Sequence, residues 1–194
     1  MNTVKIKLTG TSPILLHSDR LANPLDALTK EKKAVSTKRK KTDEDHAEIA
    51  RLEWLGALYH DEKIGPYLPG RNIKAMLITA AKVTKDGPKA KRGLIIEQDK
   101  VKLLYDGPRD VAGLWKSGKF TDMRTVGQQQ ARIMRCRPVF PEWAVEFNVI
   151  FDASVVDKAD ILRFADAGGR LIGMGDYRVE CCGDFGRFTV EEAN

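Results

Sequence analysis

The stretch GPYLPGRNIKAMLITAA, residues 65–81, places a proline–glycine turn directly before an apolar run. Ile73, Met76, Leu77 and Ala80 fall three and four positions apart, the spacing of one helix face. That spacing predicts a helix over about 71–84. Arg71 and Lys74 stand in its opening turns, where the helix dipole is already positive and acidic residues are the favourable choice. Two cations beside the open N–H groups of a helix start make an anion site. The competing reading is an ordinary turn with both side chains solvated.

Working outward, TVKIKLT (3–9) alternates polar and apolar residues and reads as a half-buried strand with a basic outer face. TDEDHAEIARLEWLGALYH (42–60) reads as a helix, with Thr42 or Asp43 as cap and Ile49, Leu52, Leu55 and Leu58 as its apolar stripe. LIIEQDKVKLLYDG (94–107) reads as two short strands around Gln98–Asp99, and AVEFNVIFD (144–152) as one clean strand. DKADILRFADAGG (157–169) reads as a helix capped by Asp157 and stopped at Gly168 or Gly169. A glycine-rich loop and a last strand follow. The charges of KEKKAVSTKRKK (30–41) are basic apart from Glu31, so a mobile loop is expected there, and KDGPKAKRG (85–93) reads as a basic turn.

Without the intervening segments the order is strand, helix, strand, strand, helix, strand. The expected fold is α+β: one domain, 1–194, with a ferredoxin-like (RRM-like) βαββαβ core. Large insertions fall after the first strand (about 10–64) and in the middle (about 106–131). An open sheet with both helices on one face leaves its other face to single-stranded nucleic acid.

Composition narrows the function. The 194 residues are 42% hydrophobic and carry a formal net charge of +6, which points to an acidic partner. No apolar run reaches the ~18 residues of a membrane-spanning helix, so no membrane partner is expected. MNTVKIKLTG lacks the apolar segment of a signal peptide, and a cytoplasmic location is expected. Cys136, Cys181 and Cys182 form neither a Cys-x-x-Cys pair nor a disulfide framework, and His17, His46 and His60 have no metal-ligand spacing. Neither a metal nor a cofactor is expected. GMG (173–175) follows a helix instead of preceding one, unlike a nucleotide-phosphate loop.

Three segments together resemble one family. PYLPGRNIKAML (66–77) is similar to the "PyiPGssLKGalR" motif of the RAMP superfamily through Pro69, Gly70, Ile73 and Lys74. It departs from the motif at Arg71, Asn72 and Ala75. LIGMGDYRVECCGDFGRFTV (171–190) resembles the family's glycine-rich loop and "GfGrf"-type strand, and SPILLHSDRLANPLD (12–26) its segment after the first strand. Within the superfamily the chain is most similar to Cas7-like backbone subunits of CRISPR effectors, or to a phage- or plasmid-encoded relative. The resemblance implies a homo-oligomer or filament along single-stranded RNA or DNA, in some systems beside other effector subunits. The core would act as a palm, with the insertions gripping the strand.

The candidate binding residues are Lys38, Arg39, Lys40, Arg71, Asn72, Lys74, Lys91, Arg92, Arg132, Arg135, Arg137, Arg170 and Arg178. A strand over 131–140 would put Arg135 and Arg137 on one face. Aromatic residues are sparse; Trp115, Phe120 and Tyr177 are the loop-borne stacking candidates, so phosphate contacts with little base readout are expected. The sequence favours a scaffold that binds single-stranded nucleic acid, RNA first, over a catalyst. One alternative is a RAMP-type endoribonuclease, metal-independent through His17 or acid-dependent through Asp26 or Asp19. Another is a protein-binding adaptor or inhibitor on the same fold.

Overall fold

Val4, Ile6 and Leu8 are buried while Thr3, Lys5 and Thr9 are exposed, so the first strand has the expected two faces. The structure, a computed structural model, describes residues 1–128 and 131–193. Gln129 and Gln130, inside the expected central insertion, and Asn194 lie outside the described residues. In chain order the elements are β1 (Asn2–Gly10), β2 (Ile14–Leu15), α1 (Ala27–Ser36), α2 (Asp43–Ala57), β3 (His60–Asp61), β4 (Gly65–Pro69), α3 (Gly70–Ala81) and α4 (Gly87–Gly93). They continue with β5 (Leu94–Ile96), β6 (Lys100–Leu104), α5 (Val111–Ser117), β7 (Thr121–Gln128), β8 (Ala131–Phe140), β9 (Ala144–Phe151), α6 (Lys158–Ala167) and β10 (Phe188–Glu192).

The architecture is mixed α+β with antiparallel sheets. Among the described residues the main sheet runs β10-β1-β9-β6-β4-β3, and β5 also pairs with β9. β5 meets β9 at Val149–Phe151 and β6 meets it at Ala144–Val145, so the two short strands share one edge of β9. The break between them receives the start of α3. Gly70 N–H donates to the Asp99 carbonyl at 2.8 Å, and a Cβ on Gly70 would stand 2.2 Å from the Gln98 oxygen. Only glycine permits that approach, which is why the turn reads Pro-Gly.

α3 buries Ile73, Met76, Leu77 and Ala80 as its spacing predicts, and α6 buries Ile161, Phe164 and Ala165. Both helices join Ile6, Leu8, Phe147 and Val149 in one core. Each such side chain contributes about 1.5–3 kcal/mol through its burial. The opposite sheet face is solvated. It carries Thr3, Lys5, Lys7, Thr9, Glu146, Asn148 and Glu191, with Lys5–Glu146 at 3.5 Å and Lys7–Glu191 at 2.9 Å. None of these is aromatic.

A second sheet, β2-β8-β7, projects as a ribbon beside α2. Four local expectations change. Most of the basic run folds as α1, because the Asp26 carboxylate caps Leu28 N–H at 2.9 Å and the lysine heads apart from Lys32, which pairs with Glu53, stay in solvent. Residues 87–93 form a short helix opened by Gly87-Pro88 and packed through Gly87, Ala90 and Gly93. α6 ends at Ala167 with Gly168 as its cap, as expected, but the chain does not pass into an open loop there. Gly168 and Gly169 are buried against Met76 and the Phe188 carbonyl, the chain runs on in a wide turn to Ile172, and Gly173 (φ 77°) ends it. α5 and β7 lie within 108–128, where no periodicity marks them in the sequence.

Candidate nucleic-acid interface

The segment after β1, the first turns of α3 and the glycine-rich loop are far apart in sequence and meet around one cleft of about 320 Å3. Leu16, Leu68, Met76, Ile172 and Met174 are buried and form its floor; His17, Asn72, Thr79, Asp176, Arg178 and Glu180 supply its polar lining. Backbone bonds fix this meeting: Asp176 N–H donates to the Leu15 carbonyl at 2.8 Å, Gly186 N–H to Pro13 at 2.8 Å, and Met174 N–H to Gly186 at 2.9 Å. The loop's glycines serve these contacts. A Cβ on Gly175 would stand 2.3 Å from the Leu15 oxygen, and one on Gly186 1.8 Å from the Met174 oxygen.

A chain of charges runs behind the cleft. His17 Nδ1 lies 3.5 Å from Asp176 Oδ2, and Arg137 Nε donates to the same oxygen. Arg137 is 3.9 Å from Glu53 Oε1, which also meets Arg135 at 2.9 Å and Lys32 at 3.5 Å. The other oxygen of Glu53 accepts from Cys136 N–H at 3.3 Å. His17, and Arg137 behind it, hold the Asp176 carboxyl well below the usual carboxylate range against the upward push of burial. Burial, then the Glu53 charge, pushes the Cys136 thiol up to about 12, so it is an inert core group. A second hollow, about 490 Å3, opens on the other side of His17 and is lined by Asp19, Lys32, Glu53, Arg135 and Arg137.

The expected site residues divide into three groups. His17, Asn72 and Arg178 line the cleft; Arg135 and Arg137 line the hollow. Arg71 pairs with Asp19 at 3.3 Å, and Lys74 sits half-buried one turn further along α3. The rest lie elsewhere. Lys38 pairs with Asp45 at 2.6 Å, with exposed Arg39 and Lys40 beside it in the α1–α2 link. Lys91 and Arg92 end α4, Arg132 is exposed on the ribbon, and Arg170 pairs with Asp166 at 2.7 Å. Asp26 lines neither cavity; it caps α1 and accepts from Arg20 Nε at 2.8 Å, which lowers its pKa. Trp115 packs on Trp54 and Phe120 is buried, whereas Tyr177 is exposed at φ 49°.

Sequence reasoning did not single out Asp176, Glu53, Lys32 or Tyr59. Asp176 could have been found as the one acid of the glycine-rich GMGDY run. Glu53 had no such signal, because it sits among the apolar residues of α2. Among the described residues no group of three or more His, Cys, Asp or Glu is placed to hold a metal ion, and no helix is long and apolar enough to cross a membrane. The chain matches no protein-family model and none of the curated proteins with which it was compared.

Proposed function

We propose that this chain is a RAMP-like protein that binds single-stranded nucleic acid, RNA first, through its phosphates and self-associates along it. One observation carries the reading: the three segments that resemble the family meet at one cleft, with Arg135 and Arg137 in the hollow that adjoins it at His17 and Arg71 paired to Asp19 of that hollow. The antiparallel order β10-β1-β9-β6, with α3 and α6 packed together, supports a ferredoxin-like core. Across β10, β1 and β9 the solvated sheet face has paired charges and no aromatic residue, and Tyr67 of β4 lies under the Lys100 ammonium at 5.5 Å and against Tyr59, so the strand belongs at the cleft and not across the sheet. Met123 and Met134, 57% and 53% exposed on one face of the ribbon, offer an apolar surface for self-association.

Fluorescence anisotropy with ~30-nucleotide single-stranded RNA, single-stranded DNA and duplex over a salt series tests the proposal. Single-strand binding with a steep salt slope is the expected result. No binding at about 150 mM salt overturns it.

A second reading rests on His17. Its imidazole faces the cleft and is oriented by Asp176 at 3.5 Å, the arrangement of a general acid–base group. On that reading the chain cuts RNA without a metal. Incubating labelled RNA with and without EDTA decides it: cleavage that survives EDTA and is lost in His17→Ala makes the chain a ribonuclease, and intact RNA leaves it a scaffold.

A further inference from the structure

We infer that the cleft between α3 and the glycine-rich loop seats one unstacked base of the bound strand, and favours a base with adjacent N–H donors, guanine foremost. The inference rests on the strand-binding reading above and goes beyond its phosphate contacts. Charge separates the two cavities that meet at His17. The cleft has two carboxylates, Asp176 and Glu180, against one guanidinium, Arg178, which already pairs with Glu180 at 2.7 Å. A phosphate finds no uncommitted guanidinium in that lining, and Asp176 is itself already held by Arg137 and His17. The hollow has Lys32, Arg135 and Arg137 against Glu53 and Asp19, an excess of one positive charge, and suits a phosphate. A nucleotide laid over His17 would put its base on one side and its phosphate on the other.

The lining of the cleft suits a base. Its volume of about 320 Å3 is at the small end of the ~300–1,000 Å3 of small-molecule sites, room for one heterocycle and not a stack. The apolar floor of Leu16, Met76 and Met174 meets a ring face. Asn72 offers a donor and an acceptor, and Glu180 offers Oε1 beside an Oε2 that already accepts from Arg178 Nε and Nη2. Guanine presents N1–H and the exocyclic amine as adjacent donors, whereas uracil has one N–H between two carbonyls. Across β10, β1 and β9 the solvated sheet face has no aromatic side chain on which bases could stack, and Tyr67 of β4 is already under the Lys100 ammonium, so the cleft is the seat that burial and chemistry provide. Tyr177, exposed and held at a positive φ between two lining residues, stands at its rim.

The test compares an oligouridine strand with the same strand carrying one central guanosine, at one salt concentration. Guanosine should tighten binding about tenfold, the size of one good base contact. Ala75→Phe fills the cleft from an exposed helix position, and Glu180→Gln replaces the carboxylate at an exposed position. Each should erase the difference, read as the ratio of the two strands' affinities within the same variant. Equal affinity of the wild-type protein for both strands overturns the base seat and leaves strand binding standing. No binding of either strand overturns the strand-binding reading and the seat with it. Guanosine monophosphate competing as well as the strand overturns the inference by making the cleft a free-nucleotide site.

Discussion

Arg71, in the first turn of α3, reaches both carboxylate oxygens of Asp19 at 3.3 Å, yet the two side chains are 67% and 74% exposed. A pair so open to water is worth at most about 1 kcal/mol. The guanidinium is therefore held near the helix start without being committed, and a phosphate is the stronger competitor. Arg71→Ala should weaken strand binding about two- to fivefold for all sequences alike. It should also reduce the salt slope by ~0.7, one phosphate contact on a single strand. Asp19→Ala should tighten binding by a similar factor. Anisotropy titrations over salt check both, and unchanged affinity in both variants removes Arg71 from the interface.

Glu53 is in the opposite situation. It is 6% exposed and meets Arg135, Lys32 and the Cys136 N–H, so it ties the ribbon and α1 to α2. Removing one partner of a buried ion cluster leaves the others uncompensated, at a cost of about 3–5 kcal/mol. Glu53→Ala should show that loss in urea unfolding. Arg135→Ala, which removes a partially exposed cation, should lose less.

What the sequence made legible depended on whether burial imposed a period. β1, β9, α3 and α6 each bury one face, and Val4/Ile6/Leu8, Val145/Phe147/Val149, Ile73/Met76/Leu77 and Ile161/Phe164/Ala165 write that period into the chain. α1 buries no residue and is held by its Asp26 cap and by ion pairs, so a periodic reading had nothing to find. β7 alternates weakly because it lies in a ribbon with little covering it. The helix start, the His17 segment and the glycine-rich loop were each visible as motifs. Their meeting around one cleft was not, since it depends on backbone bonds from Leu15 to Asp176 and from Pro13 to Gly186. The glycine-rich loop reads equally as a ligand cradle or a packing device; here Gly175 and Gly186 lie against the chain's own carbonyls.

Asp176 makes the protein sensitive to acid. His17 first, then Arg137, lowers its pKa in the folded chain, while burial opposes them. An unfolded aspartate titrates near ~3.9. A lowered folded pKa means that the stabilisation is fully present above that value and is lost as pH falls below it. Asp176→Asn should therefore be less stable than the wild type at neutral pH, with the gap narrowing as pH falls from about 4 downward. Urea midpoints of the two proteins across that range check the sign. Asp26, Asp45 and Asp61, also lowered, are common to both proteins and cancel in the difference. A gap that widens on acidification contradicts the ion-pair account.

Gly175 separates the packing role of the glycine-rich loop from any direct role in binding. Its φ of 82° is one that side-chain-bearing residues rarely adopt, and an added Cβ would stand 2.3 Å from the Leu15 oxygen and 2.9 Å from Ile14 Cγ1. Both neighbours are buried and cannot retreat. Gly175→Ala should cost about 1–3 kcal/mol and spread the wall that carries Asp176 and Arg178 away from α3. Gly127, on the ribbon, has φ outside the left-handed region and nothing within 4 Å of its Cβ direction. Gly127→Ala should be neutral or stabilising by up to about 1 kcal/mol. Denaturant unfolding of the pair, followed by strand titration of each, distinguishes the two roles. If Gly175→Ala keeps its stability and loses only affinity, the glycine faces the ligand; if stability falls first, it holds the cleft together.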